Sequence, residues 1–155
     1  MLRIIIFSLI ILASCGGVDA IKYTPTTMKL KDATDTVEEL IMTQHPLWKP
    51  DSLEINDKYI SWDFGYISKG KGTAIAVAPG FAVGRNSSVS NNKNERVYFH
   101  SIKDVQLSTW SRKFETWYVV SLIDKNGDIF KHILHTRDLD DAKRFTDAIN
   151  TLAYH

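Results

Sequence analysis

The pattern of apolar and polar residues begins with an apolar run over residues 4–13, which only Ser8 interrupts and Arg3 precedes. The run is about ten residues long, whereas a helix that crosses a membrane needs about 20 apolar residues. A short apolar core between a positive start and small residues is typical of a secretory signal peptide. We therefore expect residues 1–14 to be a removable signal and not a membrane-spanning helix.

Two segments of the remaining chain have the periodicity of amphipathic helices. The first is expected over residues 33–44, because Pro46 prevents its continuation. Thr34, Asp35 and Thr36 offer capping oxygens for its N-terminus. Its predicted buried face consists of Ala33, Val37, Leu40 and Ile41.

The second helix is expected over residues 139–153, where Asp138 can cap the N-terminus. Its apolar stripe predicts that one face packs against a sheet. The stripe consists of Leu139, Ala142, Phe145, Ile149 and Leu152. The predicted solvent-exposed face consists of Lys143, Arg144, Asp147 and Asn150.

Between the two helices, apolar and polar residues alternate in a way that predicts β-strands. A hairpin is expected around Asn56-Asp57, between strands over residues 53–55 and 59–64. The Gly-, Ala- and Ser-rich stretch that follows predicts two short strands, over residues 73–78 and 81–85.

Residues 86–94 are polar and turn-forming, which predicts a mobile loop. Further strands are expected over residues 96–99, 102–110 and 117–123, which are rich in aromatic and β-branched residues.

Asn126-Gly127 is the strongest hairpin signal in the chain, because a type I′ turn needs positive φ at both central positions. Counting outward from this two-residue turn pairs Ile123 with Phe130, and Val119 with Leu134. Both faces of these strands carry apolar residues, so the pattern leaves open which face is buried.

The apolar run ends in Leu12-Ala13-Ser14-Cys15, which resembles the lipobox of bacterial lipoproteins. The resemblance implies cleavage after Ser14, a diacylglyceryl group on the Cys15 thiol and acylation of the new amino end. Cys15 is the only cysteine, so it has no internal disulfide partner, which favours lipidation over an ordinary cleaved signal. Two acyl chains would hold the protein on its membrane. By the same resemblance, Gly16 favours the outer membrane of a Gram-negative host, on its periplasmic face.

Residues 15–31 show no sustained period and contain Gly16, Gly17 and Pro25. This composition predicts a flexible lipidated tether that reaches roughly 20–25 Å. A single globular domain, residues 32–155, would then stand clear of the lipid headgroups.

The order of predicted elements from about residue 53 to residue 152 resembles the pleckstrin-homology-like superfold. The likeness is strongest at Ile102-Lys103-Asp104-Val105 and at Ala142-Lys143-Arg144-Phe145. It implies an α+β fold, with a bent antiparallel sheet or partly open β-barrel closed by the C-terminal helix. The first helix is then an extra N-terminal element. The superfold binds many different ligands, so the likeness implies no particular function.

Charged residues are balanced, with 19 basic and 18 acidic side chains, which indicates neither a nucleic-acid partner nor a strong electrostatic patch for a membrane. Lys69, Lys71 and Arg85 are candidate contacts for an anionic headgroup or a glycan.

The sequence predicts no metal, no cofactor and no catalytic residue. His132 and His135 are three residues apart on a predicted strand, which sends them to opposite faces and prevents a shared metal. No spacing links His45 with His100. There is no Gly-x-Ser-x-Gly motif and no nucleophile with an evident base.

These observations favour a non-catalytic, membrane-anchored binding module of the cell envelope, whose partner is another envelope protein, a peptide or a glycan. Two alternatives stay open. One is a small envelope hydrolase whose carboxylates meet only in the fold. The other is an inhibitor or immunity protein that acts at the envelope.

Overall fold

The computed structural model describes residues 17–78, 81–112 and 115–155, and it describes their side chains except those of residues 65–93 and 112. The fold is α+β, with two helices and two antiparallel sheets. Its elements, in chain order, are β1 (Val18–Ala20), α1 (Leu30–Thr43), β2 (Ser52–Ile55), β3 (Tyr59–Ala78), β4 (Phe81–Tyr98), a 3₁₀ turn (Phe99–Ser101), β5 (Asp104–Arg112), β6 (Glu115–Ile123), β7 (Ile129–Thr136) and α2 (Leu139–Tyr154).

The two sheets differ in size and in the order of their strands. The four-stranded sheet has the order β1-β5-β6-β7, and the three-stranded sheet has the order β2-β3-β4. Within the described residues, the strands do not close into a barrel. The α+β class that the sequence predicted is confirmed at this level.

The four-stranded sheet buries the face that carries Leu107, Val120 and Leu134, which pair in register across β5, β6 and β7. Phe145 of α2 belongs to the same core cluster and has no exposed surface. The structure therefore identifies the buried face that the sequence pattern left open.

Both predicted helices form, and their apolar faces are buried as expected, except that Leu139 is only half-buried. Asp138 caps α2 by accepting hydrogen bonds from the backbone N–H groups of Asp140 and Asp141. Helix α1 begins earlier than predicted, so Thr34 lies inside it and donates to the Leu30 carbonyl instead of capping the N-terminus.

The turn between β6 and β7 differs from the predicted two-residue type I′ turn. The Gly127 N–H donates to the Asp124 carbonyl, the Asp124 N–H donates to the Asp128 carbonyl, and Gly127 has a positive φ of 91°. Three residues therefore form the loop, and Ile123 pairs with Ile129 instead of Phe130.

The Asp124 carboxylate explains this choice of turn. It accepts hydrogen bonds from the backbone N–H groups of Asp128 and Asn126, and these bonds hold the pKa of Asp124 below its usual range. An aspartate that binds the backbone two residues ahead favours this wider loop over the two-residue one.

Strands β3 and β4 are much longer than predicted, and β4 includes the polar residues 86–94 that we expected to form a mobile loop. Pairing continues from Tyr66–Asn92 to Ala76–Ala82, with a register shift at Asp63/Tyr66. The prediction was wrong because a strand ladder is made by backbone groups, which polar residues on a hairpin supply as well as apolar ones.

Residues 17–28, assigned from sequence to a flexible tether, are docked on the domain instead. Strand β1 pairs with β5, and the Ile21 N–H donates to the Leu107 carbonyl. Tyr23 and Thr26 both bind the carboxylate of Asp147. We call residues 21–29 the strap. The tether interpretation failed here because the partners of these residues lie more than 80 positions away in sequence, beyond what a local pattern can indicate.

Asp147 was predicted on the exposed face of α2, but its side chain is buried beneath the strap. It accepts from the Tyr23 hydroxyl at 3.0 Å, the Thr26 N–H at 2.8 Å and the Thr26 hydroxyl at 3.0 Å. Burial, followed by the hydrogen bond to Asp147, raises the pKa of the Tyr23 hydroxyl above its usual value.

The signal peptide, Leu12-Ala13-Ser14 and Cys15 lie outside the described residues. Neither of the two described helices is long and apolar enough to cross a membrane.

Candidate functional site

A β-bulge in β7 brings two histidines to the same face of the four-stranded sheet. Val120 pairs with Leu134, but the next residue of β6, Ser121, pairs with His132, so Ile133 is an extra residue. His135 pairs with Val119, two positions from Ser121 on β6, so both histidines share one face. The prediction that they face opposite sides was wrong because the bulge interrupts the two-residue period.

A pocket of about 300 Å³ lies on this face, which is opposite to the face buried against α2. We call it the sheet pocket. Its floor includes Ser108 and Ser121, each only 1% exposed. It is lined by Val18, Ser108, Trp110, Val119, Ser121, Ile129, His132 and His135.

A smaller pocket of about 120 Å³ adjoins the sheet pocket, and the two share His132 and His135. We call it the loop pocket, because the segment after α1 forms one of its walls. It is lined by Ile41, Gln44, Leu47, Trp48, Pro50, Trp62, Phe64, Lys131, His132, Ile133 and His135.

His135 lies among aromatic rings. Trp48 stacks on it with ring centroids 4.3 Å apart and an angle of 10° between the planes. Trp110 meets it edge to face at 6.2 Å, and Trp117 contacts Trp48 at 4.9 Å. Burial, followed by the charge of His132, lowers the pKa of His135 from 6.5 to about 4. At neutral pH, His135 is therefore an uncharged ring between the two pockets.

Two hydrogen bonds fix the polar side chains of the sheet-pocket floor. The Ser121 hydroxyl and Nδ1 of His132 are 2.8 Å apart, and either can donate, depending on the histidine tautomer. The Gln106 amide donates to the Ser108 hydroxyl at 3.0 Å. Within the described part of the chain, no carboxylate bonds to His132, so the Ser–His pair lacks the acidic partner of a catalytic triad.

The charged groups beside the loop pocket are paired with one another. Lys131 forms an ion pair with Glu95, which also accepts from the Trp62 indole N–H at 3.1 Å. The Lys131 ammonium lies 5.2 Å from the centroid of the Trp62 ring. Glu95 therefore neutralises the positive charge of Lys131 at the rim of the loop pocket.

The other predicted candidates do not join this site. His45 contacts Trp48 and Trp117, whereas His100 contacts Tyr98, so the structure does not bring these two histidines together. Among the described residues, no group of three His, Cys, Asp or Glu side chains could hold a metal ion.

Lys69, Lys71 and Arg85 lie on strands β3 and β4. Their backbone positions pair with Val89, Ser87 and Thr73, respectively. Their side chains are outside the described part of the structure, so the anion contact stays a prediction.

No protein-family model matches this chain, and no curated protein or solved structure is significantly similar to it. The function of this site therefore has to follow from the residues that line it. Sequence reasoning missed it because a bulge has no signature in the hydrophobic pattern. The available signal was the presence of four tryptophans in a short chain, of which Trp48 and Trp110 contact His135 and Trp117 contacts Trp48.

Proposed function

We propose that this protein is a lipid-anchored, non-catalytic binding protein of the bacterial cell envelope that holds an uncharged ligand in the sheet pocket. Anchoring is supported by the likeness of Leu12-Ala13-Ser14-Cys15 to a lipobox. Binding is supported above all by the sheet pocket itself, whose apolar and aromatic walls enclose a few fixed polar groups.

The composition of the sheet pocket favours a particular ligand class. Its volume of about 300 Å³ is at the lower end of small-ligand sites. Its described lining contains no acidic residue, lysine or arginine, and His135 is uncharged at neutral pH. Tryptophan rings suit the apolar face of a sugar, and serine and histidine suit its hydroxyl and amide groups. A glycan of the cell wall is the partner that fits best.

The fold is consistent with a finer proposal about its ancestry. Two antiparallel sheets and a C-terminal helix packed on one of them support a relation to the pleckstrin-homology-like superfold, with α1 as an extra N-terminal helix. This relation would not restrict the ligand, because sites on one fold vary freely.

Titration with N,N′-diacetylchitobiose tests the binding proposal, because this disaccharide carries the expected apolar face, hydroxyls and amides. We expect saturable shifts of the indole N–H resonances in the NMR spectrum. Ser108→Leu, which fills the pocket floor, should abolish them, while Ser52→Leu, the same change at an exposed position of β2, should not. Equal binding by both folded variants would place the ligand elsewhere.

Labelling of cells with an alkyne fatty acid tests the anchor separately. The native chain should carry the label, and Cys15→Ser should lose it because no other thiol is present. Persistent label on the serine variant would refute lipidation at Cys15.

A small hydrolase is the second candidate, and the distance of 2.8 Å between the Ser121 hydroxyl and Nδ1 of His132 is the observation that favours it. A serine activated by this histidine would react with a fluorophosphonate probe. We expect no labelling, because the described neighbours of His132 include no orienting carboxylate. Labelling that Ser121→Ala removes would favour the hydrolase over the binding protein.

A further inference from the structure

The docked N-terminus begins almost immediately after the cysteine that we propose to be lipidated. The Ser111 N–H donates to the Gly17 carbonyl at 3.2 Å, and β1 pairs with β5 from Val18 onward. Gly16 alone separates Gly17 from Cys15.

Covalent geometry then limits how far the anchor can lie from the sheet. Two residues of fully extended chain span at most about 7 Å, so the Cα atoms of Cys15 and Gly17 cannot be farther apart than that. The reach is too short for the domain to stand clear of the headgroups, which occupy several ångströms on each side of the hydrocarbon core.

The residues at this end of β1 suit a membrane surface. Val18 is 63% exposed and pairs with Trp110, and both line the sheet pocket. Tryptophan is enriched where a protein meets the bilayer interface.

The strap is bound to the domain, so residues 21–29 do not lengthen the flexible connection to Cys15. Its bonds to Asp147 and the pairing of Ile21 with Leu107 secure the segment between β1 and α1. The position of the N-terminal segment on the domain is therefore determined by several contacts and not by the three residues of β1 alone.

From these distances, we infer that the β1 edge of the four-stranded sheet lies against the lipid surface, with the sheet pocket opening beside it. This inference rests on the proposed lipidation of Cys15, and it names the bilayer as the surface that the domain contacts. A ligand would then enter the pocket from the membrane side, as a glycan carried on a lipid would.

A test that does not depend on native lipidation attaches the lipid chemically. The mature chain, residues 15–155, has a single thiol, so a maleimide-bearing phospholipid in phosphatidylcholine vesicles will couple only to Cys15. Bromine atoms on the acyl chains of these vesicles quench nearby tryptophan. The control chain carries twelve Gly and Ser residues inserted after Gly16, which add roughly 20 Å of flexible reach.

We expect tryptophan quenching in the native chain to exceed that in the insertion chain by about twofold, because the inserted flexible segment lets the domain move away from the lipid. Trp110→Phe should remove most of the quenching, whereas Trp62→Phe, in the three-stranded sheet, should preserve it. Equal quenching with and without the insertion, in chains that both float with the vesicles, would overturn the inference and leave the anchor intact. Quenching that survives in Trp110→Phe would overturn the assignment to the β1 edge. Absence of fatty-acid label in cells would overturn the proposed anchor and this inference together.

Discussion

At the scale of the residue, the fold strongly changes the acid–base chemistry of His135. The ordinary pKa of a histidine is 6.5, but burial, followed by the charge of His132, lowers the pKa of His135 to about 4. The unfolded chain therefore binds more protons than the folded one between these two values. The stability contributed by neutral His135 is fully present above pH 6.5 and is lost as the pH falls toward 4.

His135→Phe should reduce this pH dependence, because phenylalanine retains the ring contact with Trp48 but cannot accept a proton. The free energy of unfolding in urea, measured at pH 7.5 and at pH 5, should fall more in the native chain than in the variant. His155→Gln, at the exposed C-terminus, is the matched control and should behave like the native chain. An unchanged pH dependence in His135→Phe would contradict the assigned burial of the ring.

Asp147 and His132 show at the same scale what sequence could not supply. Each was assigned a direction from the regular period of its own element, with Asp147 outward on a helix and His132 opposite His135 on a strand. The strap covers Asp147, and one extra residue in β7 turns His132 to the face that carries His135. Partners that are distant in sequence and single-residue irregularities leave no trace in local periodicity.

At the scale of elements, long regular segments were predictable because several signals agree there. Helix α2 has a capping aspartate, acidic residues in its first turn and an uninterrupted apolar stripe, and it forms where all three predicted it. Strands β3 and β4 were underestimated because their polar composition gave no apolar period, although their backbones pair over most of their length.

Helix α2 also gives the clearest stability prediction. Phe145 is fully buried at the centre of the stripe, and truncating a buried phenylalanine costs about 3–5 kcal/mol. Phe145→Ala should therefore lower the free energy of unfolding in urea by about this amount. Lys143→Ala removes only an exposed ion pair with Asp140 and should change stability by less than about 1 kcal/mol. Small, equal losses would mean that α2 is not docked on the sheet.

At the scale of the whole molecule, the N-terminal segment is part of the domain. It adds an edge strand to the four-stranded sheet and three hydrogen-bond donors to Asp147. The single domain expected over residues 32–155 therefore extends back to residue 17. Composition indicated a tether there because glycine, proline and threonine are common to linkers and to short docked segments alike.

Deleting residues 17–28 tests this extension directly. A chain that starts at Lys29 should be less stable than one that starts at Gly17 by at least about 2 kcal/mol, because it loses the pairing of β1 and the apolar contacts of Ile21, Tyr23 and Met28 with the core. Tyr23→Phe, which removes one donor and keeps the ring, should lie between the two. Urea unfolding of the three chains measures the difference. Indistinguishable urea midpoints for the three chains would instead support a flexible tether over residues 17–28.

The docked strap also determines how the domain would respond to a mechanical load. A pull through the proposed anchor would reach the domain at Gly17 and act first on β1, which has three paired residues, and then on the bonds of Asp147. Once these give way, residues 17–29 would extend by at most about 45 Å while α1, the three-stranded sheet and strands β5–β7 stay folded. The same segment would thus set two heights above the membrane, one at rest and one under tension, and a partner out of reach at the first would be within reach at the second.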